Sequence, residues 1–177
     1  MYVKIVGASL ILVSSAAMGM NYGRNLRIHL EELRYLRQIF LMLAGQLKYT
    51  KEPLPDVFLE TAARVKQPYA GFFREVYKAF DRQRTVNFPA WFQEEAKKCL
   101  ESYRKEKRLT EEEWELFLSL GEQTGYMDVE MQIGTLLSGV EDWDRKIRKT
   151  EEEIGPKQRI GNCLGVLLGV FLTVLFF

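Results

Sequence analysis

Hydrophobic residues recur at intervals of three and four along most of the chain, which is the spacing of amphipathic helices, and no stretch alternates as a strand does. The first such stretch carries Leu26, Leu30, Leu33, Leu43 and Leu47, with charged residues between them. This pattern predicts a helix that continues from the N-terminal apolar segment and ends before Pro53.

Prolines and turn residues divide the next part of the chain into three shorter helices. The second helix is predicted to begin near Pro55, because proline suits the first turn of a helix. The third is predicted over residues 69–82, and the fourth over residues 90–105, after the break at Asn87.

Capping signals mark a fifth and a sixth helix. Thr110 and Glu113 have the spacing of a capping box at the start of the fifth. Gly121 and Gly125 are predicted to close it, with Gly125 as its C-terminal cap, and Asp128 is predicted to cap the start of a long sixth helix. On that sixth helix we expect surface ion pairs four residues apart, Glu141 with Arg145 and Asp144 with Arg148.

The last 18 residues, Ile160–Phe177, carry no charge. As a helix they would reach roughly 27 Å, close to the hydrocarbon thickness of a bilayer. We predict a transmembrane helix here, the alternative being a buried core helix, and we expect Gly155 and Pro156 to bend or loosen its entry.

The first 23 residues hold one charge, Lys4, followed by an apolar run from Ile5 to about Met20, and two interpretations compete. They form either a retained membrane helix or a secretory signal peptide that is removed. Arg24 and Arg27 follow directly, and positive charge beyond an apolar segment resists translocation, which favours retention. The predicted domains are therefore an N-terminal transmembrane helix (1–23), a cytoplasmic helical bundle (24–159) and a C-terminal transmembrane helix (160–177).

Small residues recur every fourth position in both apolar ends, a spacing that permits close packing of helices in lipid. These candidate packing residues are Ser15, Gly19 and Gly23 at the front, and Gly161, Gly165 and Gly169 at the back.

Charge is confined to the middle of the chain. Its 24 acidic residues all lie between Glu31 and Glu153, and 24 of its 25 basic residues lie between Arg24 and Arg159. A nearly neutral middle region argues against nucleic-acid binding, which needs a basic surface. Because the basic residues flank both apolar ends on the side of the middle region, we expect that region to be cytoplasmic.

The sequence offers little for catalysis. It has one histidine and two cysteines, and it lacks the glycine-rich loops that hold phosphates. The acidic clusters at 111–113 and 151–153 would suit a hydrolase only if their side chains converged, and adjacent residues on a helix diverge. We therefore expect no enzyme activity, no metal or other cofactor and no small-molecule substrate.

Three stretches carry a resemblance to a known family: YTKEPLPDVFLETAARV (49–65), LGEQTGYMDVEMQ (120–132) and the apolar terminus after EEEIGPKQRIG. They resemble the stage III sporulation protein AB family of endospore-forming bacteria. The most specific run is Leu120, Gly121, Gly125, Asp128 and Gln132, which we interpret as a tight helix–helix corner that either fixes the fold or contacts a partner.

The resemblance implies an all-α protein, a compact six-helix cytoplasmic bundle flanked by the two transmembrane helices. It implies a non-enzymatic platform or assembly component of a sporulation transport complex, in the cell membrane on the mother-cell side of the forespore septum. The bundle is similar to cytoplasmic domains of type II secretion and type IV pilus platform proteins. The implied partners are the secretion-type ATPase of the same complex, other membrane components and the lipid bilayer. The alternative is an exported helical protein with a cleaved signal peptide and a C-terminal anchor.

Overall fold

The computed structural model describes residues 2–50, 52–81, 87–124 and 128–176. Within them lie six helices and no strand, which confirms the all-α prediction. The helices are α1 (Tyr2–Thr50), α2 (Leu54–Arg64), α3 (Tyr69–Asp81), α4 (Phe88–Lys107), α5 (Glu111–Thr124) and α6 (Val129–Phe176). Two compact units are formed, one by residues 32–145 and one by residues 1–31 with 146–177.

The first and last helices each join an apolar end of the chain to the charged middle region. As expected, α1 runs without a break from the N-terminal apolar segment into the charged region. At the other end, α6 continues through Gly155 and Pro156, so the sixth helix and the C-terminal segment form one element. Proline removes only one backbone donor, and an ion pair of 2.5 Å between Glu153 and Lys157 spans the same turn.

An aromatic cluster fills the centre of the unit formed by residues 32–145. Phe72 meets Phe92 edge to face with ring centroids 5.0 Å apart, and Phe58 stacks on Phe73 at 5.7 Å. Burying such rings supplies a large share of the hydrophobic driving force, and the offset geometries add to it. The buried aliphatic face of α1 packs on the same core through Leu33, Leu36, Ile39, Leu43 and Leu47.

Within this unit α1 and α6 are joined by polar and aromatic contacts. Arg37 donates two hydrogen bonds to Asp144, at 2.6 and 3.1 Å, and Phe40 lies edge-on to Trp143 at 5.9 Å. Asp144 therefore pairs across helices, and not with Arg148 as expected. The two parallel donors of the Arg37 guanidinium meet both oxygens of the carboxylate, which is the strong form of such a pair.

The other expected pair on α6 also differs, because Arg145 pairs with Asp142, three residues before it, and not with Glu141. Between α1 and α2, the amide of Gln46 links two residues. Its nitrogen donates to Glu60, and its oxygen accepts from buried Thr61, both at 2.8 Å. Satisfying both ends of one amide fixes the register of the two helices.

In the unit formed by residues 1–31 and 146–177, α1 and α6 approach each other at Gly23. A Cβ on this buried glycine would lie 3.0 Å from Cγ of Gln158, so α1 and α6 approach closely there. Among the residues that the structure describes, no helix meets the length and apolar character required to cross a membrane.

Candidate interaction site on α4, α5 and the α5–α6 corner

The corner predicted from residues 120–132 joins α5 to α6. Asp128 caps α6 as expected, since its Oδ1 accepts a hydrogen bond from the backbone N–H of Met131 at 2.9 Å. Leu120, Gly121 and Gln132 are buried, whereas Asp128 is exposed. Gly125 lies outside the described residues. A partner contact at this corner stays a prediction, and among these four residues only Asp128 is open to one.

Of the two glycines predicted to close α5, Gly121 lies inside the helix, which continues to Thr124, so the prediction is wrong for Gly121. The C-terminal cap predicted at Gly125 lies outside the described residues. Gly121 instead lies against α4. A Cβ at this position would come within 2.7 Å of Cβ of Phe92, far inside normal contact. The absence of a side chain therefore lets α5 approach α4, and the glycine serves packing between helices and not helix termination.

The turn between α4 and α5 is built from local signals. Arg108 has a φ of 58° and ends α4, and its N–H bonds back to the carbonyl of Lys105 at 3.2 Å. The predicted capping box is confirmed. The N–H of Thr110 donates to the Glu113 carboxylate at 2.7 Å, and the N–H of Glu113 donates to the Thr110 hydroxyl at 3.3 Å.

A groove of about 480 Å³ runs along the outside of this helical hairpin, and we call it the α4–α5 groove. From α4 it is lined by Gln93 and Lys97, and from α5 by Glu111, Trp114, Glu115, Leu118, Ser119 and Glu122. The α5 residues stand at 111, 114–115, 118–119 and 122, so each is three or four residues from another and they share one face of that helix.

A polar contact joins the two helices near each end of the α4–α5 groove. Gln93 donates to Glu122 at 2.5 Å, and Arg104 binds Glu111 at the other end. Because residue 93 pairs with 122 and residue 104 with 111, the two helices run antiparallel. These contacts and the close approach at Gly121 hold the groove in a fixed shape.

The charge of the α4–α5 groove comes mainly from α5, which carries five glutamates and no lysine or arginine. Sequence reasoning interpreted residues 111–113 as a solvated face and did not single out Glu115, Glu122 or Lys97. The available signal was the spacing of Glu111, Glu115, Leu118 and Glu122 on a helix without a basic residue. That spacing indicates one wall of a groove only once α4 is known to lie beside α5.

Trp114 forms part of the groove wall. It is only 2% exposed, stacks on Phe117, and has the Arg104 guanidinium 5.2 Å from its ring centroid. Its indole N–H is buried and has no hydrogen-bond acceptor among the described residues. A buried donor without an acceptor is costly and uncommon in folded proteins.

A second polar centre lies at the junction of α1, α3 and α4. The buried carboxylate of Glu32 accepts hydrogen bonds from the Tyr69 hydroxyl at 2.7 Å and from the Tyr103 hydroxyl at 3.1 Å. Burial, and then the charge of Glu32, raises the pKa of both phenols, so they remain protonated donors. The three side chains therefore act as a structural link between three helices.

The bundle holds one of the two cysteines, Cys99, on α4. It is partly buried and donates to Glu95 at 3.2 Å. Burial, followed by that hydrogen bond, raises its pKa to about 11, which keeps it as an unreactive thiol near neutral pH. Over the described ranges no three His, Cys, Asp or Glu side chains come together as a metal site would require.

The two rows of small residues lie on α1 and α6. Gly23 contacts Gln158 of α6, as described above, while Ser15, Gly161 and Gly165 are partly exposed. Gly19 and Gly169 lie outside the residues whose side-chain surroundings are described. Packing of one row against the other stays a prediction.

Comparison with known proteins gives one family. The family model described as stage III sporulation protein AB matches residues 4–177, which takes in both apolar ends and the whole helical middle. No curated protein and no solved structure matches the chain. Because the family match covers nearly every residue, the chain belongs to the stage III sporulation protein AB family.

Proposed function

We propose that this protein is a non-enzymatic assembly component of a sporulation transport complex. Family membership gives the role in sporulation, and the family is not a known family of enzymes. In this proposal the apolar ends hold the protein in the cell membrane on the mother-cell side of the forespore septum. Its helical middle lies in the cytoplasm and binds the secretion-type ATPase of the same complex.

The exposed apolar face at the end of α6 carries this proposal. Its large side chains are between 48% and 75% exposed, and they are Ile160, Leu164, Leu167, Val170, Phe171 and Val174. Fully burying one such side chain stabilises a protein by roughly 1.5–3 kcal/mol relative to leaving it in water. A face of six therefore strongly favours a non-aqueous environment, and a lipid bilayer supplies it.

The distribution of charge supports the orientation. Arg24 and Arg27 follow the first apolar segment, and Lys157 and Arg159 precede the last, so the basic residues flank the segments on one side. Positive charge of this kind favours the cytoplasmic side.

The α4–α5 hairpin is suited to binding another protein, because it carries a groove and because all the charged residues of α5 are acidic.

An introduced cysteine can test the orientation. Cys99 is a poor reporter because its thiol is partly buried and protonated, so Ser138→Cys in a Cys99→Ser, Cys163→Ser background is preferable. We expect a membrane-impermeant maleimide to label this exposed position in inverted vesicles but not in intact spheroplasts. Labelling from outside the cell would reverse the orientation and favour the exported alternative.

Co-purification tests the ATPase contact. The full chain and the ATPase, produced together and extracted in a non-ionic detergent, are expected to elute as one complex. A fixed ratio of the two proteins across the gel-filtration peak would support docking. Separate elution of two folded proteins would contradict it, while leaving the membrane orientation to be judged by the labelling experiment.

A further inference from the structure

We propose that four basic residues at the boundary between the apolar ends and the charged middle of the chain bind the anionic headgroups of phospholipids. They are Arg24 and Arg27 on α1 with Lys157 and Arg159 on α6, and we call them the basic girdle. The inference rests on the proposed function to the extent that the apolar ends lie in a bilayer. It adds the class of lipid that the protein prefers and the side chains that select it.

The contact between α1 and α6 places the basic girdle at one level. Gly23 lies against the side chain of Gln158, whose Cγ would be 3.0 Å from a Cβ on the glycine. Arg24 is the next residue of α1, and the two girdle residues of α6 flank Gln158, so each of the three is about 1.5 Å from the contact along its helix axis. Arg27 is four residues from Gly23, or about 6 Å. Residues from opposite ends of the sequence therefore form one band.

The surface chemistry of α6 changes from charged to apolar within one residue of the basic girdle. Arg159 is exposed, and Ile160 beside it is 62% exposed and begins the uncharged segment that continues to Phe177. A lipid surface has the same boundary, because its phosphates lie directly above its hydrocarbon. A long basic side chain there keeps its charge among the headgroups while its stem covers apolar surface. The adjoining apolar face therefore points to a phospholipid, and not to a soluble anion, as the occupant.

Most of the charge of the basic girdle is not neutralised by the protein. All four side chains are exposed, and Lys157 pairs with Glu153 at 2.5 Å. No described acidic residue pairs with the three arginines. Basic side chains near a membrane surface attract anionic lipids, and a guanidinium can bind a phosphate through two parallel donors.

The two compact units differ in the sign of their charge. The unit formed by residues 1–31 and 146–177, which contains the basic girdle, has eight basic and four acidic residues. The unit formed by residues 32–145 has 17 basic and 20 acidic residues. The excess of positive charge therefore belongs to the unit that carries the apolar ends, as binding to an anionic lipid surface requires.

Lipid retention by the full chain in a non-ionic detergent tests the proposal. The protein is mixed with equal amounts of phosphatidylglycerol and phosphatidylcholine that have the same acyl chains, and free lipid is removed by gel filtration. Mass spectrometry then measures the two lipids that remain bound. We expect the anionic lipid to be enriched about fivefold or more over the input ratio, and the enrichment to fall in about 0.5 M salt.

Three double variants assign the enrichment to the basic girdle. Arg24→Gln with Arg159→Gln should reduce it at least about threefold. The matched control, Arg148→Gln with Lys149→Gln, makes the same change in net charge at exposed positions of α6. These lie about 17 Å before Ile160, beyond the reach of screened charges, and should change the enrichment less than about 1.5-fold. Arg24→Lys with Arg159→Lys keeps both charges and should retain at least about half of it.

Equal retention of the two lipids by the unaltered protein, an equal loss in the control, or an equal loss in the lysine variant would each overturn the proposal. Glycerol 3-phosphate in excess should leave the enrichment unchanged. Displacement by it would show a site for soluble phosphates and would also overturn the proposal.

The outcome is separable from that of the labelling experiment on orientation. Enrichment of phosphatidylglycerol together with labelling of Ser138→Cys from outside the cell would count against the proposed function and leave the basic girdle in place. The expected labelling without enrichment would do the reverse.

Discussion

At the scale of single residues, two glycines inside helices have opposite surroundings. Gly121 on α5 faces the buried ring of Phe92, whereas a Cβ on Gly134 of α6 would meet nothing within 4 Å. Alanine is the better helix former by about 1 kcal/mol, so Gly134→Ala should raise the free energy of unfolding by about 0.5–1 kcal/mol. Gly121→Ala should lower it by about 1–3 kcal/mol, because overpacking outweighs the helical preference.

Thermal unfolding of the two variants, followed by far-ultraviolet circular dichroism, measures the difference. Phe92 cannot move aside easily, since Phe72 and Phe88 pack against it at 5.0 and 5.8 Å. If Gly121→Ala were as stable as Gly134→Ala, the close approach of α4 and α5 would be disproved.

The Glu32 centre gives a prediction that depends on pH. The pKa values of Tyr69 and Tyr103 lie above the usual value near 10 in the folded protein, so the unfolded chain loses these protons first as pH rises. Stability from this source is complete below about pH 9 and is lost progressively above pH 10. Tyr69→Phe should reduce that alkaline loss, and should cost about 1–3 kcal/mol at pH 7 because Glu32 loses a donor.

Unfolding measured at pH 7 and pH 11 checks both parts. Tyr77→Phe is the matched control, a partly exposed tyrosine on the same helix as Tyr69. It should change stability little at pH 7 and leave the alkaline loss as in the unaltered protein. An unchanged alkaline slope in Tyr69→Phe would show that the link to Glu32 does not govern it.

At the scale of helices, the cap of α6 is accessible to a clean substitution because Asp128 is exposed. Asp128→Ala removes the acceptor for the Met131 N–H and should cost about 1 kcal/mol. Asp128→Asn keeps an acceptor and should cost less than half as much, which unfolding curves can resolve. Equal losses in both variants would mean that the negative charge, acting on the helix dipole, matters more than the hydrogen bond.

Whether a contact could be predicted from the sequence depends on how far apart its two residues lie in the chain. The Thr110–Glu113 box and the Asp128 cap were predicted correctly because all their atoms lie within one turn of chain. Asp144 was assigned to Arg148, and its actual partner, Arg37, is distant in sequence. Periodicity states which face of a helix is apolar, but it does not state which helix lies opposite.

Gly121 is a second case in which the sequence does not state which helix lies opposite. A glycine near the expected end of a helix is a good sign of termination, and the sequence carries no separate sign of a close neighbour. The same holds for the α4–α5 groove. Its acidic spacing is visible on α5, but the wall formed by Lys97 and Gln93 follows only from the antiparallel packing of α4.

For the whole molecule, the apolar ends raise the question of what surrounds them. The charged middle can remain in water, whereas side chains such as Leu167 and Phe171 are 65% and 62% exposed on α6. Under the proposed function that surrounding is lipid. Sedimentation with membranes would not test this, because either apolar end alone could cause it. The property to measure is whether the C-terminal segment itself is shielded from water.

A cysteine within that segment reports on the shielding. In the background without Cys99 and Cys163, Leu167→Cys should resist an impermeant maleimide in inverted vesicles and react only after detergent is added. Ser138→Cys, in the charged middle, should react at once under the same conditions, which rules out a general block of the reagent. Because a residue in hydrocarbon is inaccessible from both sides, the shielding of Leu167→Cys should also persist in spheroplasts. Equal labelling of the two cysteines without detergent would place the segment in water, and the exposed face of α6 would then need a protein partner.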